Sequence, residues 1–119
     1  MAARRLLIVE DEFLIRMTLA EVLGDEGYEV LEAADAAEAL AVLDTSPELA
    51  AMLTDIQLPG GLDGKALAAR AREQRPDLPV IFMSGRPEPD AKGHPLDLHI
   101  GKPYLPSTMV AAVRRLIGD

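Results

Sequence analysis

Five side chains, brought in by four apolar runs, have the types and spacing for chemistry on a phosphoryl group. Glu10 and Asp11 follow the run Leu6-Leu7-Ile8-Val9, and Asp55 closes the run that begins at Ala51. Ser84 ends Val80-Ile81-Phe82-Met83, and Lys102 follows Leu98-His99-Ile100-Gly101. If these runs are neighbouring buried parallel strands, all five groups surface along one edge of one sheet. Carboxylates gathered there repel, since two charges about 5 Å apart at an effective dielectric near 20 cost on the order of 3 kcal/mol. A divalent cation relieves that repulsion. Oxygen ligands without paired His or Cys favour Mg²⁺, which keeps several waters and accepts one or two carboxylates plus a phosphoryl oxygen. A carboxylate beside such a metal can act as a nucleophile and hold a covalent aspartyl-phosphate. Lys102 then offers a fixed cation, and Ser84 a hydroxyl donor, to the transferred oxygens.

The elements that must position these groups follow from the hydrophobic pattern. Residues 5–10 are short, continuous and apolar without alternation, which predicts a strand buried on both faces. From Phe13 to Glu26 the period changes, with Ile15, Leu19, Val22 and Leu23 on one helical face and Arg16, Glu21 and Asp25 away from it; Gly27 stops the helix. Tyr28 to Ala33 reads as a second strand, and Asp35 as the cap of a helix that ends before Pro47. Ala51 to Thr54 is the third strand. After the turn-rich Leu58-Pro59-Gly60-Gly61-Leu62-Asp63-Gly64, Asp63 caps a helix running to about Gln74. Val80 to Met83 and a weaker Leu96 to Ile100 complete the strands. Pro106 opens a final helix through Met109, Val110, Val113, Leu116 and Ile117. Strand and helix alternate, so the expected architecture is an α/β sandwich on a parallel sheet.

One crossover breaks the pattern. Between Gly85 and Pro95 stand three prolines and two glycines, and each proline inside a helix costs about 3 kcal/mol with no apolar face to offset it. An irregular connection with at most one helical turn is expected there.

Bulk properties narrow the function classes. With 119 residues the chain is expected to be a single domain over 1–119. Its 12 basic and 20 acidic residues give a net charge of −8, which opposes unaided binding to nucleic acid or an anionic membrane. The absence of cysteine excludes disulfides and thiolate metal sites and fits a reducing compartment, the cytoplasm by default. No segment approaches the roughly 18 apolar residues of a membrane span.

Taken together, Glu10-Asp11 after the first strand, Asp55 with Pro59 four positions on, Asp63-Gly64, Ser84-Gly85 and Lys102-Pro103 make the chain resemble the receiver domain of two-component response regulators. The resemblance spans nearly the whole sequence. It implies a flavodoxin-like (βα)5 three-layer sandwich with strand order 2-1-3-4-5. It also implies that Asp55 accepts phosphate from the phosphohistidine of a histidine kinase or phosphotransfer protein. Asp11 and Asp55 would ligate Mg²⁺ with the backbone carbonyl of Gln57, and Glu10 would support the ion through water. Ser84 and Lys102 would bind the phosphoryl group. Gln57 and Arg86, two positions beyond the acceptor and beyond Ser84, would modulate its lifetime. Family members catalyse only their own phosphorylation and dephosphorylation, and they signal to a downstream protein through the face of the fourth helix, fifth strand and fifth helix.

Three departures stand out. The Gly60-Gly61 doublet lengthens the loop after Asp55 by one residue. His99 replaces the aromatic residue that usually acts as a rotating switch, and a histidine there can report pH. Only eighteen positions separate Ser84 from Lys102, which implies a missing or reduced fourth helix, as in divergent receivers of some alphaproteobacterial stress pathways. Two other classes compete: a receiver-like binding module not switched by phosphate, and a Mg²⁺-dependent aspartyl phosphohydrolase. The second needs an acid two positions after its nucleophile, where this chain has Gln57. A stand-alone receiver is expected, unless the sequence is a piece of a longer regulator or kinase.

Overall fold

The computed structural model describes residues 3–45, 48–85 and 94–118. In chain order its elements are β1 (Arg5–Val9), α1 (Phe13–Asp25), β2 (Glu29–Ala33), α2 (Ala36–Thr45), β3 (Ala51–Asp55), α3 (Gly64–Gln74), β4 (Val80–Ser84), β5 (Asp97–Gly101) and α4 (Pro106–Ile117). The five strands form one parallel sheet in the order β2-β1-β3-β4-β5. This is the flavodoxin-like architecture expected from the sequence.

The apolar runs lack alternation because both faces of the sheet are covered. Leu7, Val9, Met52, Val80 and Phe82 pack on the side of α2 and α3. Their neighbours Leu6, Ile8, Leu53, Ile81 and Met83 pack on the side of α1 and α4. β3, at the centre, is buried at all five positions, whereas the edge strand β5 is mostly half-buried and the edge strand β2 mixes exposed and half-buried positions and ends at buried Ala33.

Local chemistry sets the element ends. Gly27, at φ +98°, takes a left-handed conformation that turns the chain after α1. Asp35 caps α2 by accepting from the Glu38 amide at 2.8 Å, and Glu38 reaches back to the Ala34 amide at 2.9 Å. Asp63 caps α3 through the Ala66 amide at 2.8 Å. Pro106 occupies the first turn of α4. The expected boundaries shift by a residue or so. Glu10 lies just beyond β1, and β5 begins at Asp97 rather than Leu96 because Leu96 belongs to the turn leading into it.

Among the described residues no helix stands between β4 and β5. Most of the segment expected to be irregular, residues 86–93 with Arg86 among them, lies outside the described residues. No described helix is long and apolar enough to cross a membrane.

Candidate functional site

The order of the sheet reverses at β1, which sends the chain first to β2 and then across to β3. Open α/β sheets bind ligands beyond the strand ends at such a point. The Glu10 amide extends the ladder by donating to Ala33 O at 3.0 Å, which carries the acidic pair out on a rigid strand end. Asp55 is the last residue of β3 and is 4% exposed. The register pairs Asp55 with Met83 and Ser84 with Gly101, so Ser84 and Lys102 emerge at nearly the same level. The Lys102 amide donates to Ser84 O at 2.8 Å and fixes that level.

Gly64 is part of the same construction. Its amide donates to Ile56 O at 2.7 Å, and a Cβ at this position would stand 2.0 Å from Asp55 O. Only glycine lets α3 start so close to the end of β3.

Three carboxylates and one ammonium converge. Ligand oxygens of Glu10, Asp11 and Asp55 all lie within 4.8 Å of one another. Lys102 Nζ is 2.7 Å from Glu10 Oε1 and 2.6 Å from Asp55 Oδ1. Glu10 is fully buried, and its Oε2 also accepts from the Glu12 amide at 3.3 Å. The contact between Lys102 and Asp55 has ion-pair distance but not hydrogen-bond direction, so buried Oδ1 keeps no hydrogen bond.

The charges interact strongly. Burial pushes the Asp55 carboxyl up to about 8, the neighbouring Glu10 carboxylate adds to the rise, and Lys102 opposes it. Burial alone would raise Glu10 as well, but its interactions with Asp55 and Lys102 outweigh that and hold it below its ordinary value. Burial likewise works against the Lys102 ammonium, and the two carboxylates overcome it and hold Lys102 above the usual lysine range. The pair therefore shares a proton that rests on Asp55, with Glu10 ionised beside the lysine.

Once Asp55 gives up that proton, a single lysine does not balance the three acidic groups. The donor set is oxygen only, it contains a buried carboxylate oxygen without a hydrogen bond, and it opens to solvent at Asp11. These residues fit a hard divalent cation such as Mg²⁺.

The space in front of them is a cleft of about 270 Å³, lined by Asp11, Glu12, Asp55, Gln57, Ser84 and Lys102 among others. The structure thus gathers six residues singled out in the sequence: five around this cleft, and Glu10 buried behind Lys102. His99 stands apart on the α3 face of the sheet. Its ring stacks on Phe82 at a centroid distance of 5.1 Å, and Nε2 lies 2.8 Å from Lys65 Nζ. Arg86 is outside the described residues.

Sequence reasoning missed three participants. Arg16, placed by periodicity on the solvent side of α1, donates to Glu10 O at 2.8 Å. Lys65 pairs with His99 across α3 and β5. Tyr104 turns a half-buried ring toward an apolar groove of about 510 Å³ between α1 and the start of α4, and Lys102 lines both this groove and the acidic cleft. The apolar triplet Phe13-Leu14-Ile15 was the available signal for the groove. The Arg16 and Lys65 contacts left no trace in spacing.

Comparisons with known proteins agree with the fold and the cleft. The sequence profile described as the response regulator receiver domain matches residues 6–114. The chain is 36% identical over 124 residues to the phosphate regulon transcriptional regulatory protein PhoB of Pseudomonas aeruginosa, covering 98% of this chain and 53% of that protein. It is 33% identical over 116 residues to the sensor kinase CckA of Brucella abortus, covering 93% of this chain and 12% of the kinase. Among solved structures it is similar to a response regulator receiver protein from Sinorhizobium medicae, with TM-score 0.88, 26% identity and coverage of 97% and 94% of the two chains. The receiver domain of NtrX from Brucella abortus gives TM-score 0.82, 34% identity and coverage of 94% and 97%. The chain spans about half the length of the transcriptional regulators it matches. A profile match across most of the sequence, and an acidic cleft at the strand ends of the same fold, mean that the chain belongs to the receiver domain family of two-component response regulators.

Proposed function

We propose that this chain is a phosphoacceptor switch. It takes a phosphoryl group from a histidine kinase or phosphotransfer protein onto Asp55 and changes the surface it offers to a downstream protein. The observation that carries this reading is the buried Asp55 oxygen, without a hydrogen bond, between an ammonium 2.6 Å away and two further carboxylates.

A bound Mg²⁺ supplies positive charge that favours the ionised carboxylate and neutralises phosphoryl oxygens. Asp55 must release its proton to attack, because the protonated acid favoured by burial has no nucleophilic charge. With that proton passed to solvent, the Asp55 oxygen forms a bond to phosphorus as the bond from phosphorus to the donor's imidazole nitrogen breaks, and the electron pair leaves on an imidazole whose other nitrogen is protonated, so that it departs neutral. Lys102 exchanges its contact with Asp55 Oδ1 for a new phosphoryl oxygen while still held by Glu10, and Ser84 supplies a hydroxyl from the cleft wall. Asp11 and the Gln57 backbone carbonyl would hold the cation together with Asp55, and Glu10 would act through water. Gln57 at the rim, and Arg86, tune how readily water reaches the product.

The donor protein must bring its phosphohistidine into the cleft, and the adjoining surface suits it. Leu14 lines the groove that shares Lys102 with the cleft, and Phe13, Met17 and Leu105 are further exposed apolar side chains on α1 and just before α4. The reading places the protein in the cytoplasm, where such kinases deliver phosphate, with neither nucleic acid nor membrane as a direct partner.

Incubation with Mg²⁺ and acetyl phosphate, followed by mass spectrometry of intact and digested protein, tests the assignment. One phosphoryl group on the peptide containing Asp55, absent from Asp55→Asn and from samples with EDTA, is expected. Unmodified protein would support a phosphate-independent binding module, and fast repeated hydrolysis would support a phosphohydrolase.

A further inference from the structure

Asp11 is the exposed member of the acidic group, and its side chain makes no hydrogen bond or ion pair among the described residues. Its direction toward Asp55 is therefore set by the backbone that carries it. Side chains grip that backbone on both sides of Asp11: Glu10 Oε2 accepts from the Glu12 amide at 3.3 Å after it, and Arg16 holds the peptide before it. Arg16 Nη1 donates to Glu10 O at 2.8 Å, and this carbonyl belongs to the peptide joining Glu10 to Asp11. A peptide is planar, so a bond to its oxygen fixes the plane from which the Asp11 Cα departs.

Arg16 is itself braced. Its Nε pairs with Glu32 Oε1 at 3.1 Å, its guanidinium lies 5.5 Å from the centroid of the Phe13 ring, and its side chain is only 15% exposed. Glu32 belongs to β2, opposite Ile8 of β1, so the guanidinium links α1, the edge of the sheet and the end of β1.

We propose that Arg16 is a positioning residue for the cation site, holding the Glu10–Asp11 peptide so that Asp11 faces Asp55. The inference rests on the reading of this cluster as a Mg²⁺ site. It gives Arg16 an effect opposite in sign to that of its charge. A cation this near a metal site repels Mg²⁺, so removal of charge alone strengthens binding. Loss of positioning weakens it.

Isothermal titration calorimetry with Mg²⁺ on the whole chain separates the two. Arg16→Met keeps much of the apolar stem and removes charge and donors; it is expected to weaken Mg²⁺ binding by about tenfold, the scale of losing a group that orients a ligand. Arg16→Lys, which can still donate to the carbonyl, is expected to recover part of the loss. Glu32→Gln keeps the bond to Glu10 O and is expected to bind Mg²⁺ within about twofold of the unaltered chain, a change of roughly 0.4 kcal/mol. Binding by Arg16→Met as tight as or tighter than the unaltered chain would overturn the proposal. So would an equal loss in Glu32→Gln, since general loosening would then explain both. Absence of Mg²⁺ binding by the unaltered chain would instead sink the metal-site reading beneath it. Thermal unfolding of each variant identifies any that fails to fold, and Arg16→Lys then carries the test.

Discussion

β3 and β5 each contribute five residues, and each delivers one charged group to the same cleft, yet they are held differently. β3 lies at the centre of the sheet and is buried throughout, so apolar contacts on both faces fix Asp55. β5 lies at the edge, half-buried along its length, and ends at exposed Gly101. Leu98 and Ile100 pack on the core from this edge, and polar links add to the hold at both ends. At its start, Arg72 pairs with Asp97 at 2.6 Å and donates twice to Leu78 O, at 3.1 and 3.0 Å. At its end, the Lys102 amide bonds to Ser84 O and the ammonium bridges Asp55 and Glu10. Apolar packing along a strand does not depend on the charge at its end, whereas ion pairs do. Asp55 is the fixed partner, and the lysine is the one whose support changes when charge is added.

The strongest way to break this contrast is to disturb the rigid side. Gly64→Ala forces a methyl group against Asp55 O, a clash with backbone on both sides, and is expected to cost about 3 kcal/mol of stability. Urea unfolding measures the loss, and phosphate uptake from acetyl phosphate should fall with it.

Removing the cation acts on the responsive side. Lys102→Met leaves two buried acids without their partner and is expected to cost about 2 kcal/mol at pH 8 in EDTA, less than for a fully buried pair because Asp55 can take up a proton. The pH dependence follows from that proton. Because the folded Asp55 value is raised from 3.8 to about 8, its contribution to stability is complete below pH 3.8 and is lost as pH rises through about 8. In EDTA, stability should decline across that range, Asp55→Asn should flatten the decline, and Mg²⁺ should counter it by favouring the ionised form. A steeper decline in Asp55→Asn would contradict the assignment of the proton.

The contrast is sharpened by Arg72→Ala, which releases the start of β5 far from the acids. A loss of about 1.5 kcal/mol is expected from the unpaired Asp97 carboxylate and Leu78 carbonyl. Hydrogen exchange should quicken in residues 97–101, and Mg²⁺ affinity should not change. Equal quickening in β3 would show that the two strands are not held independently.

The legibility of the sequence divides along the same line. β1, β3 and β4 are readable because burial on both faces imposes an unbroken apolar run. Parallel pairing then brings the residues at the ends of those runs to one edge, which is why Asp11, Asp55 and Ser84 could be grouped without coordinates. The Asp63 cap of α3 was readable from its type and place. β5 was weaker because an edge strand carries fewer apolar demands. Full burial of Glu10 was not readable, since it depends on Lys102 approaching from across the sheet. Nor were the contacts of Arg16 and Lys65, because helical periodicity says which face a residue occupies but not which carbonyl or ring stands opposite. Phe13, Leu14 and Met17 followed the pattern in a different way: their exposure is what remains once Leu19 and Leu23 take the buried face of α1.

The bond from the Gly64 amide to Ile56 O closes the span between them into a ring whose two ends sit beside Asp55. Gly60, at φ +91°, and Gly61 lie on the open part of that ring, with nothing within 4 Å of where a Cβ would stand. Chain added there enlarges the ring without levering its fastened ends, and doubling the length of a flexible loop costs only about 0.6 kcal/mol. The doublet is thus a natural splice point, where a peptide tag or reporter dye could be carried a short distance from the chemistry while Asp55 stays in register.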